Sequence, residues 1–370
     1  MLRSLYAGIS GMKANQVKLD VIGNNIANCG TTSFKGARVR FQDMVSQNMS
    51  QALAPGASQG GINPRQVGLG VQVAGIDTLV GQGGMQPTSR PLDIAMDGEG
   101  YLMVAKGRKP VLNENGVPID PTEHTANPPS GTDLFYTRDG ALTLDKEGNL
   151  LNSDGLRVLG YAITGGDADG AGANPSIDYD LSKSTATPQT SPTLTYVNAD
   201  SVTLTSSATL IPLVIPEKIF VPESTNAAGT VTPAGDFRVK TFSIEKDGVI
   251  KAVLEGGKVA ILGQIAVASF KNPAGLSKVG GNIYQNTSNS GAAIVRTGKT
   301  VVDAAAGADT TAVDNGAGYG DMLQGMLEMS NVDLAEQFTD MIIATRAFQA
   351  AGKTISTGDE ILQDIIGLKR

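Results

Sequence analysis

Apolar residues spaced three and four apart mark only the two ends of this chain. At the N-terminal end the alternation runs through Leu2, Leu5, Ile9, Met12, Gln16, Leu19, Gly23 and Ile26. At the C-terminal end it runs through Leu334, Phe338, Met341, Thr345, Phe348, Gly352, Ile355, Asp359, Leu362 and Ile366. This is the a/d pattern of a heptad, which lays one stripe of side chains along a helix and asks for a helical partner. The expected seam is therefore Leu2, Leu5, Ile9, Met12, Leu19 and Ile26 on the first helix. On the second it is Leu334, Phe338, Met341, Phe348, Ile355, Leu362 and Ile366. Gln16, Gly23, Gly352 and Asp359 interrupt the stripes, so the pair is expected to be marginal by itself. Asn28, Cys29, Gly30, Thr31 and Thr32 end the first helix with residues that favour caps and turns.

The residues between the ends change period. Gln42 to Leu53 is expected as a short helix and Ala54 to Pro64 as a loop. From Val67 onward the apolar positions alternate in strand fashion. Turn signals follow at Asp97-Gly98, Asn115-Gly116, Asp139-Gly140, Gly148-Asn149 and Asp154-Gly155. Hairpin chemistry at such short intervals reads as antiparallel β-structure. Gly165 to Pro175 reads as a linker, and Lys271-Asn272-Pro273 as a return from a second set of strands. The expected domains are 1–30 with 322–370 as terminal helices and 31–66 as a connector. A first β-domain then covers 67–161 and 273–321, with a second β-domain, 162–272, inserted in it. The fold class is mixed α and β: paired coiled-coil-like terminal helices bracket two mainly antiparallel β-domains.

Composition narrows the function classes. The 370 residues include 46 glycines and no tryptophan, which favours turns and small-residue packing over large aromatic cores. The net charge is −7 with no basic block, so nucleic acid is not an expected partner. No apolar run reaches the roughly 18 residues that would span a bilayer, so no membrane insertion is expected. The start lacks the charged, apolar and small-residue regions of a cleavable signal; export, if it occurs, is expected by another route. Cys29 is the sole cysteine, so no intrachain disulfide can form.

Catalytic parts are missing. His124 is the one histidine and is expected on an exposed loop. Gly298-Lys299-Thr300 and Gly352-Lys353-Thr354 imitate the end of a phosphate loop, but Ala293 and Ala347 stand where its first glycine belongs. Ser10 and Lys13 match an acyl-enzyme spacing without a partner motif. Asp167 and Asp169 lack the remaining ligands of a calcium loop. No catalytic residue, cofactor or metal is expected, and the chain reads as a non-enzyme.

Three blocks carry a resemblance. Leu19-Asp20-Val21-Ile22-Gly23-Asn24-Asn25-Ile26-Ala27-Asn28, followed by Phe34-Lys35, closely resembles the N-terminal signature of the bacterial flagellar rod and hook proteins. Ser33 stands where that family usually has glycine. Ser330-Asn331-Val332-Asp333-Leu334, Met341-Ile342, Arg346-Ala347-Phe348-Gln349 and Thr357-x-Asp359 are similar to its C-terminal elements, with Thr345 in place of the usual glutamine. Val67-Gly68-Leu69-Gly70-Val71, Pro91-Leu92-Asp93-Ile94-Ala95 and Gly98-x-Gly100-Tyr101 resemble its first β-domain. The signature residues carried over are Asn24, Asn25, Ala27, Asn28, Phe34, Lys35, Asn331, Asp333 and Arg346.

The resemblance implies a helical homopolymer, a tube with terminal helices innermost and β-domains outward, located in the extracellular flagellum. Lys13, Asn15 and Lys18 would then line a channel or simply face solvent. Implied partners are further copies of the chain, distal-rod, hook-cap and hook–filament junction proteins, and the flagellar export apparatus. The Val67–Ile76 stretch and the extra middle residues are more similar to the hook members than to the shorter distal-rod members. A non-flagellar surface adhesin is the reading from a different class, and would lack the paired terminal heptads.

Overall fold

The structure is a computed structural model. It describes residues 2–368 apart from 53, 56–59, 62, 108–115, 121–122, 166–175, 179–192, 201–203, 222–223, 226–230, 233–234, 298–299, 304–306 and 310–319. The expected 166–175 linker and the Asp167/Asp169 pair lie outside the described residues. Two helices flank mostly antiparallel strands. The chain divides into two compact units, Met1–Gly83 with Ser330–Arg370, and Gly84–Met329.

The first unit holds the helices α1 (Leu2–Ala27) and α2 (Leu334–Gly367). It also holds a two-stranded ribbon. Strand β1 (Ala37–Asp43) pairs antiparallel with β4 (Val71–Thr78), and β2 (Ser46–Ser50) pairs with β3 (Arg65–Gly68). The Met44 N–H donates to the Gly70 carbonyl at 2.8 Å, which carries the ladder from one pair into the next. The short helix expected from Gln42 is therefore strand. Phe41, Val45 and Met49 are spaced as a helical stripe would be, but nothing covers them, and β3 and β4 satisfy the backbone groups of this segment.

The second helix begins later than the expected 322. Asp321–Gln324 and Met326–Glu328 are strands, separated by Gly325 at φ +75°. The helix starts where Asp333 caps it, accepting the N–H groups of Ala335 at 2.8 Å and Glu336 at 3.4 Å. Such a cap satisfies orphan donors of the first turn and is worth ~1 kcal/mol.

In the second unit the expected border between two β-domains falls inside a strand. Arg157–Gly165 pairs with Tyr101–Gly107 on one side of that border and with Leu204–Pro212 and Val259–Ile265 on the other. One apolar cluster joins Ile94, Met96 and Leu102 to Ile211, Ile219, Ile250 and Leu262. A second joins Tyr101, Met103 and Tyr136 to Leu210, Phe270 and Tyr284. The expected insert thus gives way to one unit with shared cores, because strands from both segments bury the same side chains. His124 is half-buried rather than exposed, with its carbonyl accepting the Val295 N–H at 2.8 Å.

Tyr101 and Tyr136 pack edge-on against Phe270, with ring centroids 5.8 and 4.8 Å away. Burial pushes both phenols up to about 12. Beside them Arg138 is buried with Glu328. Its Nε donates to Glu328 Oε2 at 2.8 Å, and its Nη atoms donate to the carbonyls of Gly98 at 2.7 Å, Met96 at 3.2 Å and Gly100 at 3.2 Å. A buried guanidinium is tolerated because each of its faces meets an acceptor.

Candidate assembly interface

Within the first unit α1 and α2 run antiparallel. Leu5 lies against Gly358, Gly8 against Thr354 and Ile355, Gly11 against Ala351, and Met12 against Gly352. Farther along, Lys18 pairs with Asp340 at 3.3 Å and Asn25 meets Gln337. The covered residues repeat as an unbroken heptad on each helix. On α1 it is Leu5, Gly8, Met12, Asn15, Leu19, Ile22 and Ile26. On α2 it is Gln337, Met341, Ala344, Phe348, Ala351, Ile355, Gly358 and Leu362.

Eight of the thirteen expected seam residues are in this heptad: Leu5, Met12, Leu19, Ile26, Met341, Phe348, Ile355 and Leu362. The other described members face away. Ile9 is 41% exposed, Leu334 41%, Phe338 51% and Ile366 70%; the side chain of Leu2 lies outside the described residues. Small residues displaced them. A Cβ on Gly8 would lie 2.8 Å from Thr354 Oγ1, and one on Gly358 would lie 2.7 Å from Leu5 Cδ2. A side chain at either point would force Thr354 or Leu5 to shift, so glycine lets the two helices approach closely here. A reading weighted toward large apolar side chains passes over such positions.

What α2 turns outward is apolar at both ends and polar between. Leu334, Phe338 and Ile342 follow one i, i+4 row near its start, and Ile361, Ile365 and Leu368 lie close together near its end; all six are exposed. Arg346, Gln349, Lys353 and Glu360 are exposed between the two patches. On α1, Tyr6 joins Ile9 outside. The sequence reading missed Tyr6, Ile342, Ile361 and Ile365, whose three- and four-residue spacings were the available signal.

The signature residues build the base of the helix pair. Asn25 is buried; its Oδ1 accepts the Ala37 N–H at 3.0 Å, and its Nδ2 donates to the Ala37 carbonyl at 2.7 Å and to Gln337 Oε1 at 3.0 Å. Asn331 Oδ1 accepts the Gly36 N–H at 2.8 Å, and its Nδ2 donates to the carbonyls of Leu79 at 2.8 Å and Gly81 at 3.0 Å. Lys35, also buried, donates its Nζ to the Gly81 carbonyl at 2.9 Å. Asn28 Nδ2 donates to the Asn24 carbonyl at 2.9 Å and to Asn24 Oδ1 at 3.0 Å, closing the end of α1. Phe34 is half-buried and its carbonyl accepts the Asn331 N–H at 3.3 Å. Ser33, where the resembling family has glycine, takes φ +56°, so the left-handed turn is kept without the glycine.

Asn24, Ala27 and Arg346 are exposed, and the Arg346 guanidinium donates only to neighbouring Gln349 among its described hydrogen bonds, at 3.2 Å. Asp333 serves as the cap described above. Of the residues weighed as channel-lining, Lys13 is exposed, Asn15 donates to the Gly11 carbonyl at 2.8 Å, and Lys18 is engaged with Asp340. Cys29 is half-buried.

These residues fall within regions matched by known families. Residues 5–35 match the flagella basal body rod protein family, 125–252 the flagellar hook protein FlgE/F/G D1 domain, and 323–368 the flagellar basal body rod FlgEFG protein C-terminal region. The chain is 35% identical to the flagellar basal-body rod protein FlgG of Bacillus subtilis over 100% of both chains. It is 32% identical to the flagellar hook protein FlgE of Borreliella burgdorferi, again over 100% of both, and 30% identical to that of Treponema pallidum over 100% of both. The chain belongs to the family of structural proteins that form the flagellar hook and basal-body rod.

Proposed function

We propose that this chain is the hook member of that family. Copies polymerise into a curved helical tube that acts as a universal joint and passes motor torque to the filament. The observation that carries self-assembly is the outward face of α2. Its own partner helix is already seated on the opposite face, yet Leu334, Phe338, Ile342, Ile361, Ile365 and Leu368 stay exposed. Covering them recovers about 25 cal/mol per Å² of apolar surface. Contacts between unlike surfaces of identical subunits that do not close into a ring extend as a helix. In this reading the terminal helices form a coiled-coil-like inner layer and the β-unit lies outward. The tube ends meet distal-rod, cap and junction proteins.

The hook assignment rests on the Val67–Ile76 block; the length of the middle segment does not favour it. The distal rod is the second reading. The alignment to the rod relative spans 370 positions, the length of this chain, whereas those to the two hook relatives extend to 464 and 503. Electron microscopy of the assembled protein separates the two. Curved, supercoiling tubes support the hook, straight rigid tubes support the rod, and a protein that stays monomeric under all assembly conditions refutes both.

A further inference from the structure

Two heptads compete for the same faces of α1 and α2. They share Leu5, Met12, Leu19 and Ile26 on one helix and Met341, Phe348, Ile355 and Leu362 on the other. One completes the stripe with Ile9, Gln16, Gly23, Phe338, Thr345, Gly352, Asp359 and Ile366, the other with Gly8, Asn15, Ile22, Gln337, Ala344, Ala351 and Gly358, and Leu334 fits both. Near the start of α2 the first would bury Phe338 where the second covers Gln337, so apolar burial at that end favours the first. The helices take the second and leave Phe338 exposed. A polar contact at that end offsets the loss.

Asn25 is placed to make that distinction. Its Oδ1 and Nδ2 make to Ala37 the two bonds that a neighbouring strand would make, at 3.0 and 2.7 Å. This fixes the orientation of the carboxamide. The remaining Nδ2 hydrogen is directed at Gln337 Oε1, 3.0 Å away, and Gln337 opens the small-residue heptad. Rotating α2 to bury Phe338 would withdraw Gln337 and leave a buried donor without its acceptor, which is unfavourable.

We propose that Asn25 is the positioning residue that sets the rotation of α2 against α1, and so reserves Phe338 for a second copy of this chain. The inference rests on the self-assembly reading above. A single buried polar residue that specifies the register of a helical seam at some expense of apolar burial is a known device.

The test reads rotation and assembly separately on the full-length chain. In a Cys29→Ser background, Gly11→Cys and Ala351→Cys form a reporter pair, because a Cβ on Gly11 would lie 3.9 Å from the Ala351 Cβ, within the roughly 3.5–4.5 Å of a disulfide. Oxidation of soluble and sedimented material is scored as the intrachain band. With Asn25 present, the band is expected to form in high yield. Asn25→Leu is expected to lower that yield about tenfold, in line with the loss of buried hydrogen bonds, while circular dichroism retains the helix content and sedimenting polymer disappears. Gln337→Leu should fall between, and adding it to Asn25→Leu should change nothing further. A full-yield band in Asn25→Leu overturns the proposal, whether or not polymer forms. So does loss of the band together with the helix content, since Asn25 would then only stabilise α1. A parent chain that gives no band overturns it as well. If the band depends on Asn25 but the parent never sediments, the rotation lock stands and the self-assembly reading falls.

Discussion

The core of residues 84–329 and the seam between the terminal helices are built from opposite materials. The core encloses Met103, Leu142, Leu150, Ile163 and Ile250, together with Tyr101, Tyr136, Tyr161, Tyr284 and a buried ion pair. The seam alternates Leu5, Met12, Leu19, Met341, Phe348 and Ile355 with Gly8, Ala344, Ala351 and Gly358, while Ile9, Phe338 and Ile366 face outward. The first arrangement is complete within one chain. The second brings two backbones together and leaves much of its apolar surface for a further partner.

Four experiments would break or sharpen this contrast, beginning with the largest expected effect. Replacing Gly165 to Pro273 with a short Gly/Ser bridge strips Ile94, Met96 and Leu102 of their partners in a shared core. We expect the variant to lose soluble expression; a soluble chain with a cooperative melt would show that the β-unit is modular after all.

Arg138→Leu leaves Glu328 buried without its partner. Breaking such a pair costs about 3–5 kcal/mol, which should appear as a lower denaturation midpoint for the β-unit. An unchanged midpoint would mean that the pair adds nothing to that core.

Phe338→Asp and Phe348→Asp separate the two faces of α2. Phe338 is exposed and Phe348 belongs to the inward heptad. Phe338→Asp should abolish polymer while the helix signal and the melting of the β-unit stay normal. Phe348→Asp should also weaken the helix pair, since it forces a charge into an apolar seam. Equal behaviour of the two variants in circular dichroism would dissolve the distinction between the faces.

The smallest effect is at Ser33. Its left-handed backbone is unfavourable for a side-chain-bearing residue by about 1–2 kcal/mol, and glycine returns part of that gain through its greater unfolded freedom. Ser33→Gly should therefore stabilise the helix pair by less than ~1 kcal/mol, read from the urea midpoint of the helical signal. A clear destabilisation would mean that the Ser33 side chain contributes more than its backbone conformation costs.

The sequence by itself determined the existence and approximate extent of both helices, the mainly antiparallel character of the middle, and the signature blocks that carry the family. These are local properties. Heptad spacing, capping residues such as Asp333 and turn pairs such as Asp154-Gly155 act on their own neighbourhood and can be read without knowing what lies across from them. It also placed Leu5, Met12, Leu19, Ile26, Met341, Phe348, Ile355 and Leu362 in the seam, because both competing heptads contain them. Only the tertiary structure decided which heptad the helices use. That choice depends on how closely Gly8 can approach Thr354 and on a carboxamide held by Ala37, neither of which is a property of spacing. The start of α2 at Leu334 and the strands at Ser46–Ser50 and Asp321–Gln324 were decided in the same way, by partners distant in sequence. So was the merging of the expected insert with the first β-domain, since one-dimensional periodicity shows that a strand has a buried face but not which strands bury it.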